Sequence, residues 1–126
     1  MKTRQLGIKG PHVSAIGVGA LSFSNFYGSA EDEGSHKVLR AALDLGINHV
    51  DTSNVYGNGR SETVIGSFLS MQGKLKEDLF TIASKVGICR DTETGQRYFD
   101  NSESHIRDQL DKSLQRLRIN SLVLYY

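Results

Sequence analysis

The sequence predicts an α/β fold in which parallel strands alternate with helices, in the manner of a strand–helix barrel. Three observations predict it. Short apolar runs of strand length recur along the chain, and stretches with helical apolar spacing separate them. The repeat from Asp51 to Lys85 and on to Tyr126 is about 35–40 residues, the size of a strand–crossover–strand unit. Asp51 and Lys85, both ionisable, fall at the carboxyl ends of their strands, the rim on which such barrels place their chemistry.

The elements follow in order. Thr3 to Ser14 reads as a small hairpin, with Gly7, Gly10 and Pro11 marking turns. Ala15 to Ala20 is the first barrel strand, and Leu21 to Gly28 a loop. That loop holds Phe23, Phe26 and Tyr27, which either plug the core or line a pocket. Ser29 is placed to cap the first helix, with Asp32 three residues on as the acidic partner of a capping box. The apolar stripe of that helix is Val38, Leu39, Ala42, Leu43 and Leu45, and Gly46 ends it. Ile47 to Thr52 is the second strand. A polar loop follows, and Ser61 opens a helix carrying Val64, Ile65, Phe68 and Leu69.

Phe80 to Val86 is the third strand. Its alternation puts Phe80, Ile82 and Val86, with Ser84, on one face and Thr81, Ala83 and Lys85 on the other, so the bulky face meets the helices and Lys85 points inward. Ile47, His49 and Asp51 share a face of the second strand in the same way, and His49 reads as a hydrogen-bonded interior residue. Cys89 to Asp100 reads as a long polar loop, with Cys89 an ordinary thiol. Asn101 or Ser102 caps the third helix, whose stripe is Ile106, Leu110, Leu114 and Leu117. Ser121 to Tyr126 is nearly continuously apolar, as a strand covered on both faces is.

Composition narrows the function classes. The chain of 126 residues has a net charge of +1, which gives no reason to expect nucleic acid or an anionic membrane as partner. No run approaches the roughly 20 apolar residues of a membrane span, and no apolar stretch follows the charged start. The single cysteine cannot form an internal disulfide, which fits a reducing compartment. The cytoplasm is the expected location. Gly17-Val18-Gly19 lacks the third glycine of a dinucleotide fingerprint, and Gly57-Asn58-Gly59-Arg60-Ser61 lacks the Gly-Lys-Ser/Thr of a phosphate loop. No metal site is expected.

The segment Asp51-Thr52-Ser53, Tyr56-Gly57, Ser61-Glu62 resembles the signature of the aldo-keto reductase family. Ile82-Ala83-Ser84-Lys85 matches a strand that ends in the family's lysine, and Ile16 to Leu21 matches the family's start. The resemblance runs the length of the chain. It implies residues 1–126 of the amino-terminal half of a (β/α)8 TIM-type barrel: a hairpin over 1–14, then four parallel strands and three helices over 15–126.

The resemblance also implies an NAD(P)H-dependent oxidoreductase that reduces aldehydes or ketones to alcohols. Its cofactor is NADP, with NAD as the alternative, and its substrate a small carbonyl compound. The residue types suit that chemistry. A tyrosine keeps its proton at neutral pH, since phenols titrate near pH ~10. A lysine ammonium a hydrogen bond away favours the phenolate, and a carboxylate keeps the lysine charged. Tyr56 is thus the expected acid, Lys85 its tuner and Asp51 the partner of the lysine. The resemblance adds Gly19, Ala20, Leu21 and Asp51 as cofactor-binding residues.

In the family a catalytic histidine lies just beyond a segment like Leu124-Tyr125-Tyr126, and the sequence ends before that position. His36 and His105 lie on helices and do not replace it. Taken alone, this length of chain is expected to lack activity and to self-associate through its open strand edges. The alternative readings are a non-catalytic half-barrel and a binding subunit like the potassium-channel accessory proteins of the same fold. The Thr94-Gly95-Gln96-Arg97 and Phe26-Tyr27-Gly28 segments look most like the subgroup acting on aryl or aliphatic aldehydes and plant-alkaloid-type carbonyls, with sugar dehydrogenases the other option.

Overall fold

A computed structural model describes residues 1–73 and 76–126. Two short antiparallel strands, β1 (Thr3–Gln5) and β2 (His12–Ser14), form the expected hairpin. β3 (Val18–Gly19) runs into a 3-10 turn over Ala20–Ser24. Then come α1 (Asp32–Asp44), β4 (His49–Asp51), α2 (Arg60–Ser70), a single-turn helix α3 (Lys76–Leu79) and β5 (Thr81–Ser84). A second hairpin, β6 (Ile88–Arg90) with β7 (Arg97–Phe99), precedes α4 (Glu103–Leu117) and β8 (Leu124–Tyr125).

β3, β4, β5 and β8 form one parallel sheet in that order. The three long helices cross between its strands as the alternation requires, and the arrangement is part of a barrel. The register aligns Gly19, Asp51, Ala83 and Leu124 in one row across four strands. Neighbours in a parallel row share a face, so the row fixes which side chains meet on the rim. Val50 and Ile82, one residue back, are buried on the other face. There they pack with Leu39, Ile65, Phe68, Leu69 and Leu117 in the main core. Among the described residues no helix is long and apolar enough to cross a membrane.

Each barrel strand is shorter than the sequence predicts, while its ladder runs on past the strand ends. The Thr81 amide donates to Asn48 (2.7 Å), Thr52 to Ala83 (2.9 Å) and Tyr126 to Ser84 (2.9 Å). The first strand stops at Gly19, because Ala20 turns into the 3-10 segment and its carbonyl accepts the buried Ser61 hydroxyl at 2.8 Å. That bond, with Thr52 Oγ1 2.9 Å from Ser61 Oγ, commits Ser61 to the sheet rather than to a helix cap. α2 accordingly starts one residue earlier, after Gly59 in the left-handed region (φ +89°).

Ser29 does not cap α1. The helix begins after Glu31 without a side-chain cap. Asp32, the expected partner of Ser29, pairs instead with the Arg60 guanidinium at 2.7 Å, which also donates to the Ala30 carbonyl. Within the α1 stripe Leu39 and Ala42 are buried and Leu43 packs against the core, whereas Val38 and Leu45, two turns apart on one flank, face solvent. Gly46 takes positive φ after the helix as expected (+72°).

The largest departure is the segment 89–100, which is a hairpin and not a loop. Its turn is built by Asp91, whose Oδ1 accepts from the Glu93 amide, the Thr94 amide and the Thr94 hydroxyl. Gly95 supplies the left-handed residue. Ser102 caps α4 by accepting from the His105 amide, one of the two positions the sequence predicts.

Candidate functional site

The site lies at the carboxyl ends of the parallel strands. Asp51 is the last residue of β4 and Lys85 follows β5. The alternation that buries Val50 and Ile82 against the helices turns both charged side chains to the opposite face. There the Lys85 ammonium donates to Asp51 Oδ1 and, at 2.9 Å, to the carbonyl of Thr52. The two side chains are about equally sheltered, 33% and 35% exposed. A half-buried pair of this kind holds its geometry better than a surface ion pair, because the strands fix both backbones.

An ammonium has three donors, and the third finds no acceptor among the described residues. Two aromatic rings flank it instead. The ring centre of Tyr56 is 5.2 Å from Lys85 Nζ, and that of Tyr126 is 5.7 Å away. Both distances lie within cation–π range. The Tyr56 hydroxyl makes no hydrogen bond to Lys85, which differs from the hydrogen-bonded contact the sequence suggests. The cause is the loop. Residues 53–59 form a chain of turns in which Tyr56 donates to Ser53 and Ser61 donates to Tyr56, with Gly57 and Asn58 at positive φ. The loop is moored to α4 by Asn54, whose amide donates to Gln109 at 3.0 Å. It therefore turns the face of the Tyr56 ring, and not its hydroxyl, to the ammonium.

The other residues of interest are near. Gly19 pairs with Asp51 in the sheet, and the position of a β-carbon on Gly19 faces open space. Ala20 is fully buried, and Leu21 lines the cleft described next. His49 Nδ1 donates to the Thr81 carbonyl at 2.9 Å, an interior hydrogen bond as read from the sequence. Of the three loop aromatics, Phe23 is core while Phe26 and Tyr27 are exposed, with Phe26 on the cleft.

Beyond Tyr56 opens a cleft of about 860 Å³. One wall is the loop 54–58, the other the β6–β7 hairpin and the exposed turns of α4. Sequence reasoning did not find this wall, because it took the hairpin for a loop. It also missed Tyr126, whose ring position follows only from β8 pairing with β5. A third omission is Glu62. It is fully buried, accepts the Ser84 hydroxyl at 2.6 Å and pairs with Arg116 at 2.7 Å, so it ties α2 to both the sheet and α4. A charged residue in the first turn of a helix carries no sequence sign of burial.

The model of the aldo/keto reductase family matches residues 15–126. The aldo-keto reductase yakc of Schizosaccharomyces pombe, whose name carries NADP(+), is 37% identical over 98% of this chain and 35% of its own. The L-galactose dehydrogenase of Arabidopsis thaliana is 32% identical over 95% of this chain and 35% of its own. Among solved structures, the aldo-keto reductase from Bacillus halodurans in its holo form superposes with a TM-score of 0.84 at 30% identity, covering 99% of this chain and 39% of that one. The chain thus spans little more than a third of the length of the curated relatives it matches.

Proposed function

The chain belongs to the aldo/keto reductase family, and on that premise we propose that the protein it represents is an NADP-dependent reductase of small aldehydes or ketones, with Tyr56 as proton donor, Lys85 as the cation that tunes it and Asp51 as the partner of the lysine. The observation that carries the reading is the clasp on Lys85. A lysine held by one carboxylate and one carbonyl, under two tyrosine rings and with a donor to spare, is a cation placed to act on a third group. Tyr56 is the ring on a loop, and the role requires a movement of that loop that carries its hydroxyl to the spare donor. Such contacts tighten when substrate arrives.

The rim fits a nicotinamide nucleotide in two respects. Gly19 leaves open space beside Asp51, and no described residue donates to Asp51 Oδ2, which leaves an acceptor for a ribose hydroxyl. When bound, such a cofactor supplies the hydride. The residues of this chain would do the rest. Lys85 favours the phenolate that Tyr56 becomes on giving its proton to the substrate oxygen, and Asp51 keeps the ammonium in place. NADP is preferred over NAD because the S. pombe relative carries it in its name. The cleft beyond Tyr56 would receive the carbonyl compound.

The test is Tyr56→Phe in the protein at its natural length. Removing the hydroxyl leaves volume nearly unchanged, so NADPH affinity by fluorescence titration stays near wild type. Turnover of an aromatic aldehyde falls by about 100-fold or more. Turnover within about threefold of wild type would remove Tyr56 from the acid role.

A further inference from the structure

The sequence holds one cysteine, and the structure places it in company the sequence does not show. Cys89 is the middle residue of β6 and 9% exposed, part of the wall of the cleft beyond Tyr56. Its Sγ lies 3.4 Å from Nε2 of His105, on the first turns of α4. On the other side of that ring, Nδ1 lies 3.6 Å from Oδ2 of Asp100. Asp100 is fixed in turn. Its Oδ1 accepts from the Ser102 amide at 2.9 Å and its own amide donates to Gly87. The Ser102 hydrogen bonds hold its carboxyl below the ordinary aspartate range, so it is ionised at neutral pH. A carboxylate at Nδ1 favours the tautomer with the proton on that nitrogen, which leaves Nε2 as the base facing the thiol. Nucleophile, base and orienting acid thus stand in series, from β6, α4 and the connection that leads into α4, beside a cleft.

A buried cysteine is usually a small apolar filler. Here an imidazole nitrogen stands at hydrogen-bonding range of its sulfur, with the Gly87 carbonyl at 4.0 Å and the Tyr98 side chain also beside it, and His105 and the thiol line the same cleft as Tyr56. We propose that Cys89, His105 and Asp100 form a nucleophilic thiol site that adds to α,β-unsaturated carbonyl compounds entering the cleft. The choice of electrophile rests on the reductase reading, since carbonyl compounds are what that reading brings to the cleft, and those with a conjugated double bond are the ones a thiol attacks. The step balances without any other reagent. His105 Nε2 takes the thiol proton. The sulfur then forms a bond to the β-carbon, and the π pair of the carbon–carbon double bond moves to give the enolate. The imidazolium returns the proton to the α-carbon, and the product is a thioether that keeps its carbonyl group. The adduct occupies the cleft on which Tyr56 lies.

The probe is crotonaldehyde, added to the protein at its natural length with no nucleotide present, so the result does not depend on whether the reductase reading holds. Adduct formation is followed by intact mass and located by peptide mapping, with N-acetylcysteine at the same pH as reference. The expected result is addition at Cys89 at least about 10-fold faster than to N-acetylcysteine, none at that position in Cys89→Ser, and no stable adduct with saturated butanal. His105→Gln should lower the rate to that of the free thiol. Asp100→Asn, which keeps an acceptor for the Ser102 amide, should lower it in the same direction while the thermal unfolding midpoint stays near wild type. A wild-type rate no greater than that of N-acetylcysteine overturns the proposal. So does a rate that neither substitution changes.

Discussion

Gly66 of α2 lies against the backbone carbonyl of Arg116 in α4, in a space that a β-carbon would overlap. Gly59, at the start of the same helix, meets the Arg116 side chain in the same way, with a built β-carbon 2.6 Å from Cδ. The two helices are therefore packed backbone to backbone, and glycine is what permits it. In an exposed helix, Gly→Ala stabilises by up to about 1 kcal/mol. Here the sign reverses, because the obstacle is backbone and cannot swing aside. Gly66→Ala is expected to destabilise by about 1–3 kcal/mol, read from the midpoint of denaturant unfolding. A variant as stable as wild type would show that α2 and α4 are further apart than described.

The same interface holds a buried carboxylate. Glu62 is fully buried and relies on Arg116 for its counter-charge, with Ser84 as a further donor. Arg116→Met would leave that charge unpaired, and breaking a buried pair from one side costs about 3–5 kcal/mol. The double variant Glu62→Gln with Arg116→Met should recover much of the loss, since no buried charge remains. Thermal and denaturant unfolding of the three variants would check it. Equal destabilisation in the single and double variants would mean that the charge is not what the pair protects.

Asp91 gives a pH prediction. Hydrogen bonds from the Thr94 amide, the Thr94 hydroxyl and the Glu93 amide hold its carboxyl below the ordinary aspartate range. A group lowered on folding contributes stability above its unfolded pKa, and the contribution is lost as pH falls through the folded one. The β6–β7 turn should therefore stay formed at neutral pH and loosen only below the usual carboxylate range. The Asp91 carboxyl and the Thr94 amide, followed together by NMR, should titrate with one midpoint below that of an unstructured aspartate. Asp91→Asn should abolish the transition at Thr94. A midpoint at or above the free value would contradict the turn geometry.

Much of the fold was legible because it rests on alternation. Asp51 and Lys85 could be placed on one face by counting residues, and the ion pair between them follows from that count and parallel pairing. What the sequence could not show depends on groups far apart in the chain. Ser29 has the spacing of a cap, yet Arg60 takes Asp32 and the cap is not formed. The 89–100 segment is polar and holds no clear alternation, so its hairpin was hidden, although Asp91 followed by Thr94-Gly95 is a turn signal that could have been weighed. Tyr126 comes over Lys85 only through the pairing of β8 with β5. The Tyr56 hydroxyl was expected at the ammonium, and the loop instead offers the ring, since loop geometry is set by its own hydrogen bonds rather than by strand register.

The central claim is that Tyr56 and Lys85 act as one unit on the carbonyl oxygen. A double-mutant cycle on the protein at its natural length, with NADPH and an aromatic aldehyde, tests it most directly. Tyr56→Phe and Lys85→Met should each lower kcat/KM by about 100-fold or more. If the lysine works only through the tyrosine, the double variant should be no more than about threefold below the poorer single variant. Losses that multiply in the double variant, or either single variant within about threefold of wild type, would contradict the account.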